Sequence, residues 1–210
     1  MNPRVIIFDL DNTLFETRSL PQSQTEPIYQ AMRESNYGHD AVPPDVLEQA
    51  FEDSWSIAFP LVVEKYGLPH RMLQLWHDAH QLLELREPLR PFPDVTEVIP
   101  RLSSLKYLLT SGYRRVQNAK IDALGIRSLF DMIIIDAVDD DDIHRGKEAI
   151  LRELLQTQDW SPGDLLIVGD SSVSELLAGR RLGISTVQIL RPGVIPSNLA
   201  DRHIHSLFEL

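Results

Sequence analysis

Apolar and polar positions follow two different periods along this chain, and the change of period divides it. Val5-Ile-Ile-Phe8 is an apolar run of strand length that stops at Asp9, and strand-like runs recur at 106–109, 132–135, 165–168 and 186–189. Between these runs, helical spacing predicts helices over 95–102, over 114–124, from about Lys147 onward, and over 173–182. Near-continuous apolar strands alternating with helices imply a parallel sheet covered on both faces, with right-handed crossovers. The expected class is therefore α/β, a doubly wound Rossmann-like sheet.

From Leu20 to about Arg86 the strand-like runs disappear and a helical period takes over. Leu47, Phe51, Trp55, Ala58 and Val62 share one spacing, and Met72, Trp76, Ala79 and Leu83 share another. Pro43-Pro44 and Gly67-Leu68-Pro69 punctuate the segment, so several helices joined by short turns are expected. The predicted organisation is a core of residues 1–17 and 90–210 with an all-helical insertion at 18–89. Trp55, Tyr66 and Trp76 read as the insertion's own core, with the lining of a ligand cleft as the alternative. His77 and His80 lie one helical turn apart near His70, but no fourth donor is identified beside them, so they are expected to face solvent rather than a metal.

In open α/β sheets ligands bind beyond the carboxyl ends of the strands, and the chemistry-bearing residues fall there. In an extended segment Asp9 and Asp11 point the same way while Leu10 points into packing. Two carboxylates so placed repel one another unless a cation or a shared proton relieves them; the alternative is a strand that simply stops in a solvated turn. Thr13 adds a hydroxyl nearby. The second strand is expected to end at Thr110-Ser111-Gly112 and the fourth at Gly169-Asp170-Ser171. Lys147 follows Arg145-Gly146 at a helix start, where the positive end of the helix dipole disfavours a cation unless an anion compensates. The acidic run 139–142 lacks the glycine and spaced glutamate of a calcium loop and reads as solvated.

Composition narrows the function classes. With 210 residues, 31 Asp and Glu against 20 Lys and Arg, and a formal charge of −11, the chain argues against a nucleic-acid polymer as partner. It contains no Cys, which excludes disulfides, thiolate metal sites and thiol nucleophiles. Neither a charged leader nor a long apolar segment is evident, so an unprocessed cytoplasmic protein, monomer or homodimer, without a membrane partner is expected.

Taken in order, Asp-Leu-Asp-Asn-Thr at Asp9 to Thr13, Thr110 after an apolar strand, Lys147 at a helix entrance and Gly169-Asp170 make the chain resemble the haloacid dehalogenase superfamily over almost its full length. The resemblance implies a helical cap, hinged near Glu16 to Ser19 and Leu89 to Pro93, that closes over the active site and reads the leaving group. It implies Asp9 as nucleophile and Asp11 as general acid and then general base. The superfamily's dehalogenases lack a carboxylate at the second position, so phosphoryl chemistry is favoured. The resemblance further implies Mg2+ held by Asp9, Asp170 and the backbone carbonyl of Asp11. Lys147 would neutralise charge, and Thr110, Ser111, Gly112 and Thr13 would lie on the substrate side.

Where the family usually places a second Asp five residues after the first, this chain has Glu175. Its carboxylate could hold metal directly, act through water, orient Lys147, or be the first-turn acid of a helix. The implied function is a Mg2+-dependent phosphomonoester hydrolase of a small phosphorylated metabolite, acting through an aspartyl-phosphate. The alternatives are a phosphomutase and a catalytically weak phosphate-binding module. A receiver domain shares some of these residue types, but Thr110 precedes Asp136 here and the insertion has no counterpart there.

Overall fold

The computed structural model describes residues 3–85, 87–140 and 144–210, so the expectations resting on Arg86, Asp141 and Asp142 lie outside the described residues. The chain forms two units, Met1–Glu16 with Pro88–Leu210, and Thr17–Glu87. No helix among the described residues is long and apolar enough to cross a membrane.

Among its described residues the Thr17–Glu87 unit contains four α-helices, α1 (Gln22–Ser35), α2 (Pro44–Asp53), α3 (Phe59–Tyr66) and α4 (His70–Leu82). The single period seen from Leu47 to Val62 is divided between α2 and α3, because Pro60 sits in the first turn of α3, where its missing N–H costs nothing. The unit has its own core of Ile28, Met32, Leu47, Phe51, Phe59, Val62 and Met72. Trp55, Tyr66 and Trp76 pack against that core, and Trp76 stacks on Phe59 at 4.2 Å between centroids. His77 and His80 are half-buried, which corrects the expectation that they face solvent. The His80 ring lies 4.1 Å from that of Trp76, and its Nδ1 pairs with the Trp76 carbonyl.

The other unit is built on a six-stranded, all-parallel sheet: β1 (Val5–Phe8), β2 (Leu105–Gly112), β3 (Met132–Ala137), β4 (Leu165–Gly169), β5 (Ser185–Ile189) and β6 (Arg202–Ile204). Its helices are α5 (Pro93–Val98), α6 (Arg114–Ala123), α7 (Lys147–Thr157) and α8 (Glu175–Leu182). The strand order is β3-β2-β1-β4-β5-β6, so the direction of winding reverses beside β1. One face of the sheet buries Val5, Ile7, Leu109 and Ile167 against Ile150, Leu151 and Leu154 of α7 and Ala178 of α8. The switch point between β1 and β4 is where such sheets bind ligands.

Three elements differ from the sequence expectation. The helix over 95–102 is a short α5 that tightens into a 3₁₀ turn at Ile99–Arg101, where Pro100 has no N–H to continue the α ladder. The helix expected from 173 begins only at Glu175. The sixth strand was missed, because Arg202-His-Ile is too short to produce an apolar run, and its partner β5 specifies it by position, Ile189 against Ile204.

Candidate active site

The ends of β1 and β4 and the first residues of α7 and α8 contribute side chains to one cluster. β1 stops at Phe8, and Asp9 follows with its N–H bonded to the Val168 carbonyl of β4 at 3.0 Å. The chain then turns: Leu14 N–H closes on the Leu10 carbonyl at 2.9 Å, and Asn12 takes the positive φ of 53° that asparagine tolerates better than most residues. This turn brings Asp9 and Asp11 out beyond the sheet with Leu10 fully buried.

Lys147, the first residue of α7, is buried, and its Nζ lies 2.7 Å from Asp9 Oδ1 and 2.8 Å from Glu175 Oε2. The anion that a helix-start lysine requires is thus supplied twice. Burial alone would lower the lysine's pKa, but the charges of Asp9 and Glu175 outweigh it, and the group stays a cation.

One carboxylate oxygen from each of Asp9, Asp170 and Glu175 lies within 4.8 Å of the others. One lysine cannot neutralise three carboxylates. Burial and the remaining negative charge push Asp9 up to about 7 and Asp170 up to about 8. A divalent cation would relieve that excess, and an all-oxygen donor set suits a hard ion. Asp9, Asp170 and Glu175 therefore fit a metal, with the Asp11 carboxylate apart from them.

Both carboxylate oxygens of Glu175 already have protein partners. Its Oε2 holds Lys147 while its Oε1 accepts the Ser171 N–H at 2.6 Å, so it orients the lysine and fixes the loop that carries Asp170. The longer side chain lies directly over Gly169, where a Cβ would come within 2.3 Å of Oε1.

The residues expected on the substrate side are placed differently from one another. Thr110 is buried, and its hydroxyl oxygen accepts from Gln117 Nε2 at 2.6 Å, leaving its own hydrogen to donate. Ser111 and Gly112 belong to the end of β2, in register with Asp136 and Ala137 of β3, rather than to a turn beyond it. The Ser111 hydroxyl donates to Asp136 at 3.2 Å. Thr13 is fully buried, and its hydroxyl donates to Asp170 Oδ1 at 3.0 Å. It steadies an acid of the cluster.

Four groups around the cluster were not found from the sequence. Gln117 and Lys120, i and i+3 on α6, both donate to the Asp11 carboxylate, at 2.9 and 2.7 Å. Gly112, at φ 151°, has no Cβ to obstruct the Gln117 side chain, which would otherwise meet it at 2.9 Å. Asp136 accepts from Ser111 Oγ and from the N–H groups of Arg145 and Gly146, so it ties the end of β2 to the entrance of α7. Arg191 donates to the Thr13 carbonyl at 3.1 Å and is gripped by both oxygens of Asp94. The signal available for Gln117 and Lys120 was two polar residues lying on the helix face that also buries Val116 and Ile121.

The described part of the acidic run is likewise not a free loop. Asp139 accepts the Arg114 N–H at 2.9 Å and Asp140 pairs with the Arg114 guanidinium at 3.3 Å, so the two hold the first turn of α6.

Comparison with known proteins agrees with this construction. A family model described as haloacid dehalogenase-like hydrolase matches residues 3–183. N-acylneuraminate-9-phosphatase of Rattus norvegicus is 26% identical, with 99% of this chain and 92% of that protein covered. Phosphoglycolate phosphatase of Synechococcus elongatus is 28% identical, with 89% and 83% covered. Among solved structures, a HAD phosphatase from Thermococcus onnurineus superposes with a TM-score of 0.64 at 21% identity, covering 98% of this chain and 95% of that one. An all-parallel sheet with an acidic cluster at its switch point, together with a family match over most of the length, establishes that the chain belongs to the haloacid dehalogenase-like hydrolases.

Proposed function

We propose that the protein is a Mg2+-dependent phosphomonoester hydrolase that acts on a small phosphorylated metabolite through an aspartyl-phosphate. The observation that carries this reading is the buried Asp9 side chain, held by Lys147 at 2.7 Å within a cluster that also contains Asp170 and Glu175. Mg2+, bound by Asp9, Asp170 and Glu175 and by the Asp11 carbonyl, would supply positive charge against the phosphoryl oxygens.

Asp9 attacks phosphorus as the bond to the leaving oxygen breaks, and that oxygen takes the proton of the Asp11 carboxyl. Water then attacks the phosphorus and gives a proton to Asp11 as the bond to Asp9 breaks, returning both carboxyl groups to their starting state. Lys147 keeps a fixed cation beside Asp9, and the Thr110 hydroxyl donates to a phosphoryl oxygen; both are paid for by the fold before substrate arrives. Two relatives named for phosphatase activity on a phosphorylated sugar acid and on a small phosphorylated acid support the class of substrate. The Thr17–Glu87 unit is the helical cap of this reading and is where discrimination of the leaving group belongs.

The test is phosphate release from a panel of sugar phosphates, phosphorylated acids and nucleoside monophosphates, with Mg2+ or with chelator. Release that requires Mg2+ and is abolished by Asp9→Asn in a folded protein supports the reading. Appreciable turnover in that variant would refute the nucleophile assignment.

A further inference from the structure

Asp11 carries two hydrogen bonds that the proposed reaction does not by itself require. Lys120 Nζ lies 2.7 Å from Oδ1, and Gln117 Nε2 lies 2.9 Å from Oδ2, so each oxygen of the carboxylate is held from the same helix. The amide orientation of Gln117 follows from chemistry, because the Asp11 carboxylate and the Ser111 carbonyl at 3.0 Å only accept, and only the NH2 end can face both. The same NH2 nitrogen lies 2.6 Å from the Thr110 hydroxyl oxygen, so its two hydrogens are shared among three acceptors. One side chain therefore spans the acid–base residue and the threonine expected to meet the phosphoryl group.

The Lys120 pair is partly buried, with the lysine side chain 11% and the Asp11 side chain 28% exposed, and a contribution to folding does not by itself require both carboxylate oxygens to be held from one helix. A lysine at this position could have laid its stem along Phe15 and ended in solvent. Its head instead lies 5.7 Å from the Phe15 ring centroid with the side chain only 11% exposed, aimed at the carboxylate. A carboxylate with two fixed donors has its plane set, while each oxygen keeps a lone pair for a further partner.

We propose that Lys120 and Gln117 are positioning residues that lock the plane of the Asp11 carboxylate, and with it the Thr110 hydroxyl, for proton transfer to and from the leaving oxygen. This rests on the acid–base role proposed for Asp11. Proton donation matters most when the leaving group is a poor one, so loss of the lock falls on alkyl esters more heavily than on aryl esters that leave readily as anions.

The experiment compares wild type, Lys120→Met and Lys120→Arg in Mg2+ on an alkyl phosphate and on p-nitrophenyl phosphate. Lys120→Met is expected to lower kcat on the alkyl ester roughly 10-fold to 100-fold, with a clearly smaller loss on the nitrophenyl ester and KM changed by about twofold or less. Lys120→Arg is expected to recover most of the alkyl-ester loss, and Lys120→Met is expected to add nothing in an Asp11→Asn background. Equal losses on the two esters, or no loss on either, would overturn the proposal. A wild-type protein inactive on both esters would contradict the functional reading instead. The crystal structure of Lys120→Met then decides the positioning role alone: an Asp11 carboxylate that leaves Gln117 supports it, and one that stays in place overturns it.

Discussion

Gly169 and Glu175 are packed so closely that a Cβ on residue 169 would lie 2.3 Å from Glu175 Oε1 and 2.5 Å from its Cγ. The glutamate cannot yield cheaply, since its two oxygens hold Lys147 and the Ser171 N–H. Gly169→Ala is therefore expected to destabilise the protein by about 1–3 kcal/mol, the ordinary cost of overpacking, and to weaken metal binding. Adding Glu175→Asp, which withdraws one methylene from the crowded space, is expected to recover part of both losses. Denaturant unfolding and calorimetric Mg2+ titration of the single and double variants check this. Strictly additive effects of the two substitutions would mean that the glycine is not there to admit the glutamate.

Asp94 joins distant parts of the chain behind the cluster. It accepts both arms of Arg191, at 2.9 and 2.8 Å, and also Ser206 Oγ and the Leu207 N–H near the carboxyl terminus. Arg191 in turn holds the Thr13 carbonyl, and Thr13 holds Asp170. Asp94→Ala leaves a buried guanidinium without its anion and is expected to cost about 3–5 kcal/mol by urea unfolding. Burial alone would raise the Asp94 pKa, but Arg191 and the hydrogen bonds from Leu207 and Ser206 hold it below its ordinary 3.8. Its contribution is thus present above pH 3.8 and lost as pH falls through the lowered value, and Arg191→Met should remove that part of the acid limb.

The acidic cluster has the opposite sign. Burial raises Asp170 from 3.8 to about 8 and Asp9 from 3.8 to about 7, so the metal-free folded chain keeps protons that the unfolded chain has already released. The stability of metal-free protein should fall as pH rises from 4 to 8. In chelator, Tm at pH 8 is expected to lie roughly 3 °C or more below that at pH 5. Asp170→Asn should flatten that slope, and Mg2+ should raise Tm more at pH 8 than at pH 5. An unchanged slope in Asp170→Asn would assign it to general charge repulsion.

The sheet was legible because its strands are buried on both faces, which turns them into apolar runs that end abruptly where side chains reach water. β6 was not, since three residues at an edge carry no such run and are placed by β5. Asp9, Lys147 and Asp170 could be singled out from strand ends and from a lysine in need of an anion. Gln117, Lys120, Asp136 and Arg191 act at the cluster through side chains whose partners lie from 6 to 178 residues away along the chain. No local pattern encodes such pairings. The partner of Thr13 was hidden for a related reason: a hydroxyl next to an acidic motif carries no sign in sequence that it donates to an aspartate 157 residues on.

The central claim is that Asp9 takes the phosphoryl group. Acid-quenching the Mg2+-loaded protein during turnover of its best ester, reducing with borohydride and mapping peptides by mass spectrometry tests it directly, because reduction converts an aspartyl-phosphate to homoserine. Homoserine at position 9, absent without substrate, is the expected result. Substrate consumed with residue 9 recovered only as aspartate would contradict it.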